Sequence, residues 1–171
     1  MDELSIGWLQ TPDGVAAVPE VNGESLIALV RAAELPSAEQ SGTPSLAGAY
    51  GGLPPAVVRG PSSILLGRSE PAAEGPDPRL YVHGERVTLL ACRCGDPGCW
   101  PLQARLGLEE TRVTWSEFAQ PHRSTWNLSR FGPFVFDRAQ YEQALEAAGG
   151  PANGPGRGLS RTVPRQRKAP G

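Results

Sequence analysis

The sequence predicts an α+β fold: an antiparallel β-meander sheet with two helices packed on one face, followed by a disordered C-terminal tail. Three observations lead there. Between Leu80 and Phe118, short apolar stretches are separated by turn residues at spacings too tight for the crossovers that parallel neighbours require. Two segments, Ser25 to Leu35 and Arg138 to Ala148, switch to a helical period. Beyond Gly149, glycine, proline and arginine displace aliphatic residues, and such a composition buries too little apolar surface to offset the entropy of ordering the chain.

The expected organisation is a single α+β domain over 1–148, with Pro/Gly-rich loops at about 36–61 and 69–78, and a basic tail over 149–171. Charge divides the same way. Of the 16 basic residues, Arg157, Arg161, Arg165, Arg167 and Lys168 lie beyond Gly149, where none of the 18 acidic residues falls. The body therefore carries a formal charge of −7 and the tail +5, for a net −2. Five charges spread so thinly describe a solvated tail first, and only a weak contact for nucleic acid. No run approaches the roughly 20 apolar residues of a membrane span, and Met1-Asp2-Glu3 opens without a basic or apolar leader. A cytoplasmic protein with three reduced cysteines is expected.

Leu4, Ile6 and Trp8 alternate with smaller residues, Thr11-Pro12-Asp13-Gly14 supplies a turn, and Val15 to Val18 follows, so the chain opens with a hairpin. Leu26, Leu29, Val30 and Ala33 share a helical face, with Asn22 or Ser25 placed as the cap and Pro36 as the stop. Pro36 to Pro61 reads as loop, Ile64 to Leu66 as a short strand, and Ser69 to Pro78 as an exposed connection. Strands are then expected over Leu80–Val82, Val87–Cys92, Pro101–Leu108 and Thr111–Phe118, with Leu102, Ala104, Leu106 and Leu108 on one core-facing side. Phe134 to Phe136 is a further strand. Asp137 and Gln140 form a capping-box signal for the last helix, whose buried stripe is Tyr141, Ala144, Leu145 and Ala148.

All three cysteines lie in Cys92-Arg93-Cys94-Gly95-Asp96-Pro97-Gly98-Cys99-Trp100. Cys92 and Cys94 share a face if their strand reaches both, and a loop over Gly95 to Gly98 sets Cys94 opposite Cys99. Three readings stay open. Cys92, Cys94 and Cys99 could hold zinc with one histidine, and His83, close in sequence to the same sheet, is the expected fourth ligand beside the other candidate, His122. The spacing C-x-C-x4-C lacks the C-x2-C knuckle and a second pair. A thiolate nucleophile with His122 as base is the second reading. In the third, reduced cysteines simply pack the hairpin as small apolar residues.

His122, Arg123 and Trp126 form a candidate ligand loop for an anion, through guanidinium and ring. Gly48-Ala49-Tyr50-Gly51-Gly52 lacks the spacing of a phosphate-cradling loop. Glu109-Glu110 sits at a turn, and Glu142 and Glu146 lie on an exposed helix face, so no carboxylate pair is arranged for acid–base work. The expected function is a small cytosolic, non-enzymatic binding module whose partner is another protein. The alternative is a zinc-binding or thiol-dependent protein centred on the cysteines.

The stretch Cys92 to Leu102, then Val113-Thr114-Trp115 to Phe118, then Gly132-Pro133-Phe134 and Phe136-Asp137-Arg138 to Tyr141, resembles a group of small uncharacterised actinobacterial proteins with a C-x-C-G-x-x-G-C-W hairpin motif. The resemblance covers roughly Leu80 to Leu145, with a weaker echo in Asn22 to Leu26. It implies no activity and assigns a role to no residue.

Overall fold

The computed structural model describes residues 1–148; the basic tail, with its expected disorder, lies outside the described residues. The elements in chain order are β1 (Leu4–Thr11), β2 (Gly14–Val21), β3 (Glu24–Ser25), α1 (Leu26–Gln40), β4 (Tyr50–Gly51), α2 (Pro55–Val58), β5 (Val82–His83), β6 (Arg86–Cys92), β7 (Leu102–Leu108), β8 (Arg112–Ala119), β9 (Phe134–Asp137) and α3 (Arg138–Ala147). Short 3-10 turns occupy Pro44–Leu46, Ile64–Leu66 and Pro78–Leu80. The class is α+β, with every strand-to-strand ladder among the described residues antiparallel. The strands divide between two sheets: the opening hairpin with β3, and a second in the order β4-β6-β7-β8-β9, with β5 also on β6.

The hairpin closes with Thr11 opposite Gly14 and runs on to Leu4 opposite Val21. Two contacts tie it to the rest. Ala17 and Leu53 exchange both backbone hydrogen bonds at 2.7 Å, and the Gln140 side-chain amide, from α3, accepts from Leu4 N–H at 3.1 Å and donates to Leu4 C=O at 2.7 Å. Gln140 thus serves β1 as a third strand would, instead of folding back to complete a capping box. The other half of that box forms as expected, since Asp137 Oδ1 accepts from Gln140 N–H at 2.9 Å.

Of the two expected caps for α1, Ser25 takes the role, its Oγ accepting from Ile27 N–H; Asn22 sits in the preceding turn at φ +54° and binds Glu3 N–H and Asp2 instead. Two other expectations are corrected. Pro36 does not stop the helix, which continues to Gln40. Proline forfeits one backbone bond inside a helix, but Ala38 in the extra turn is fully buried against Ala47 and Trp126, and Ser37 Oγ accepts from Asn127 N–H; that tertiary packing outweighs the local penalty. Ile64–Leu66 is a 3-10 turn rather than a strand, capped by Ser63 Oγ on Leu65 N–H and ended by Gly67 in the left-handed region.

The long Pro/Gly-rich stretch is not a surface loop throughout. Tyr50, Leu53, Val57, Val58, Ile64 and Leu65 enter the main hydrophobic cluster, which also takes in residues of both sheets and of α1 and α3. The Glu70–Pro76 part is exposed. At the centre, Trp115 packs edge-on against Phe136 and Tyr141. Its Nε1–H donates to Tyr141 Oη at 3.0 Å, and Tyr141 donates in turn to Leu65 C=O at 2.7 Å. The expected apolar face of β7 fades along the strand: Leu102 and Ala104 are fully buried, Leu106 is half-buried against the core, and Leu108 is 41% exposed at the sheet's far end.

Candidate metal centre

The cysteine loop grows from the last residue of β6. Cys92 is half-buried, held opposite Tyr50 by the pairing of β6 with β4. The β4 backbone comes in close: a Cβ on Gly51 would lie 3.1 Å from Arg93 Cα and Cys92 O, a contact tight enough to press on the start of the cysteine loop. The strand stops at Cys92, and Cys94 therefore lies in the loop rather than on a shared strand face or opposite Cys99 as expected. Turns do the gathering instead. Gly95 N–H donates to Cys92 C=O at 3.0 Å with Gly95 at φ +85°, and Asp96 Oδ1 accepts from Gly98 N–H at 2.8 Å. Asp96 C=O accepts from Cys99 N–H at 3.4 Å, which returns the chain toward Cys92.

The result is that the three sulfurs all lie within 4.8 Å of one another. Zinc bonded to thiolates at about 2.3 Å in tetrahedral geometry would place sulfurs about 3.8 Å apart, so a closure of at most about 1 Å would fit the cluster to the ion. The thiols are not equivalent. The Asp96 backbone N–H, then the Cys92 and Cys99 thiols, hold Cys94 below the ordinary thiol range, while the same mutual bonding, led by Cys92, pushes Cys99 up to about 12. A dication held by the cluster would favour the thiolate form of its ligands. Cys94 and Cys99 are exposed, so the reading in which the cysteines merely pack the hairpin does not describe them.

His83 is corrected as a ligand. It pairs with Arg86 at the opposite end of β6 from Cys92, and six residues of strand put it roughly 20 Å away. His122, from the segment after β8, instead lies against the loop: its Nε2 is 2.9 Å from Gly98 C=O, and its ring stacks on Trp100 with 6.2 Å between centroids and 12° between planes. It is not one of the clustered group. Nor does it bond a sulfur as a general base would.

Arg123 and Trp126 join the same neighbourhood in other roles than anion binding. Arg123 lies over the Trp100 ring, 5.0 Å from its centroid, and donates to His122 C=O at 2.8 Å. Trp126 is buried, edge-on to Trp100 and packed on Ala38 and Ala47. The ligand loop is thus a wall of the cysteine loop, built around Trp100.

Behind that wall is a polar network that the sequence reading missed. Glu34 of α1 is fully buried, its Oε2 accepting from Gly48 N–H at 2.8 Å and its Oε1 accepting from the Tyr50 hydroxyl. Gln120 Nε2 donates to Tyr50 Oη at 3.1 Å, and Gln120 Oε1 accepts from His122 N–H at 3.0 Å. Burial raises the Glu34 carboxyl above its ordinary value against the lowering effect of those bonds, and burial with the adjacent carboxylate raises Tyr50 as well. The signal was present: Leu26, Val30, Glu34 and Ala38 are the buried positions of α1, and an acid in such a row needs partners.

No family model matches the chain, and neither a curated protein nor a solved structure is similar to it. Among the described residues, no helix is long and apolar enough to cross a membrane.

Proposed function

We propose that this is a zinc-binding protein in which Cys92, Cys94 and Cys99 provide three thiolate ligands at the tip of the β6–β7 connection. The observation that carries the reading is the convergence of three sulfurs within 4.8 Å on a loop whose own turns, not a disulfide, hold them there. Thiolates select zinc among the common divalent ions. The metal acts structurally: it pins an exposed nine-residue connection and the Trp100 wall into one recognition surface. We take the module to be non-enzymatic and cytoplasmic, where free thiols stay reduced, with a protein as its partner.

Elemental analysis of the full chain, purified without chelator, tests the assignment. One zinc per chain is expected, and Cys99→Ser loses it. A metal-free wild-type chain that also fails to take up added zinc overturns the reading.

A further inference from the structure

We infer that His122 is the fourth zinc ligand, binding through Nδ1 while its Nε2–H stays on the Gly98 carbonyl. The inference rests on the three-thiolate zinc site and completes it. A structural zinc site is almost always four-coordinate, and three sulfurs leave one position to fill. The chain has two histidines, and His83 is at the wrong end of β6. Asp96, the acid within the loop, already spends Oδ1 on Gly98 N–H.

His122 carries the second-shell arrangement that a metal-bound histidine needs before any metal arrives. A ligating imidazole characteristically donates its other ring N–H to a carbonyl or carboxylate, which fixes the tautomer and leaves the remaining nitrogen's lone pair for the ion. The 2.9 Å contact between Nε2 and Gly98 C=O is such a bond. Its acceptor is the residue next to Cys99, so ring and sulfur are anchored to the same turn. The stack on Trp100, itself next to Cys99 on the other side, holds the plane of the ring. From below, Gln120 fixes the His122 backbone and binds the hydroxyl of Tyr50, whose strand partner is Cys92.

The remaining movement belongs to the loop. The ring nitrogens lie outside the sulfur cluster, and Gly95, a pivot at φ +85°, has nothing within 4 Å of where a Cβ would be. The site requires the Arg93–Gly98 segment to close over the ion until the sulfurs and Nδ1 reach bonding distance, with Gly95 as its hinge.

X-ray absorption at the zinc edge, on the full chain loaded with one equivalent of zinc, reads the ligands directly. Three sulfurs and one nitrogen, with the outer-shell scattering of an imidazole, are expected. His122→Ala, at an exposed position, should replace that nitrogen with oxygen and weaken zinc binding by at least about tenfold in chelator competition. Three sulfurs with one oxygen in the wild type, and an unchanged affinity in His122→Ala, overturn the histidine assignment while leaving the thiolate site standing. Failure of the wild type to bind zinc at all overturns both.

Discussion

Replacing Tyr50 by phenylalanine isolates the buried network behind the cysteine loop. The hydroxyl gives Glu34 one of its two hydrogen bonds and gives Gln120 Nε2 its acceptor, while the ring, 1% exposed, keeps its packing. Loss of a hydrogen bond to a charged group costs about 1.5–3 kcal/mol, and the stranded Gln120 donor adds about 1 kcal/mol. We expect a loss of about 3 kcal/mol at pH 8, on the order of 10 °C in Tm for a chain of this size. The pH dependence gives a second reading. The folded pKa of Glu34 lies above the ordinary 4.5, so the folded state holds the proton more tightly, and stability falls as pH rises from the unfolded value through the raised folded one. Tyr50→Phe removes a group that favours the ionised carboxyl, raises that folded pKa further, and deepens the loss above it. Below the unfolded pKa the carboxyl is protonated in both states, and the cost of the substitution shrinks to that of neutral hydrogen bonds. Urea unfolding of both proteins at pH 8 and at about pH 4 measures the difference. A loss below about 1 kcal/mol at pH 8, or one equal at both pH values, refutes the argument that a buried carboxylate depends on Tyr50.

Zinc at a hundredfold excess over its Kd should stabilise the wild type by about 2.7 kcal/mol and leave Cys99→Ser unmoved, as read by thermal unfolding with and without chelator. Gly52→Ala should cost more than about 2 kcal/mol in denaturant unfolding, because its Cβ would lie 2.5 Å from Ala17 O and 2.8 Å from Ala16 Cβ, forcing apart the bridge between hairpin and β4 segment. Gln140→Ala removes both bonds to Leu4, and a loss of about 2 kcal/mol should appear with faster amide exchange at the N-terminal end of β1.

Much of the fold was legible where local chemistry and tertiary packing agree. The hairpin turn at Pro12-Asp13, the Ser25 cap, the Asp137 cap and strands β6 to β8 all follow from residue pattern, because the burial of one face repeats the period that the sequence displays. The failures occur where a distant partner decides. Pro36 ends helices locally, but Ala38 is claimed by Trp126, almost ninety residues away in sequence. Ile64-Leu65-Leu66 has the composition of a strand, yet Ser63 and Gly67 cap it as one tight turn that buries all three residues on the same core. The cysteines were visible as a cluster, since turn residues at fixed spacing bring their sulfurs together. Proximity in sequence favoured His83, whereas strand direction carries it to the other end of β6 and the return of the chain after β8 sets His122 against the loop.

The network explains why the loop's platform is built from residues so far apart in the chain. Glu34 lies on α1, Tyr50 on β4 and Gln120 just beyond β8, and none of the three could satisfy a buried carboxylate alone. Joined, they fix the strand opposite Cys92 and the backbone that carries His122, so the two arms of the proposed site rest on one support. If the site binds zinc, linkage makes any coupling mutual: whatever Tyr50 contributed to zinc affinity, zinc would return to the stability of the Tyr50 contacts. Burying an acid is costly for the fold alone, and on the proposed reading that cost would be offset by a support shared between the cysteine loop and His122.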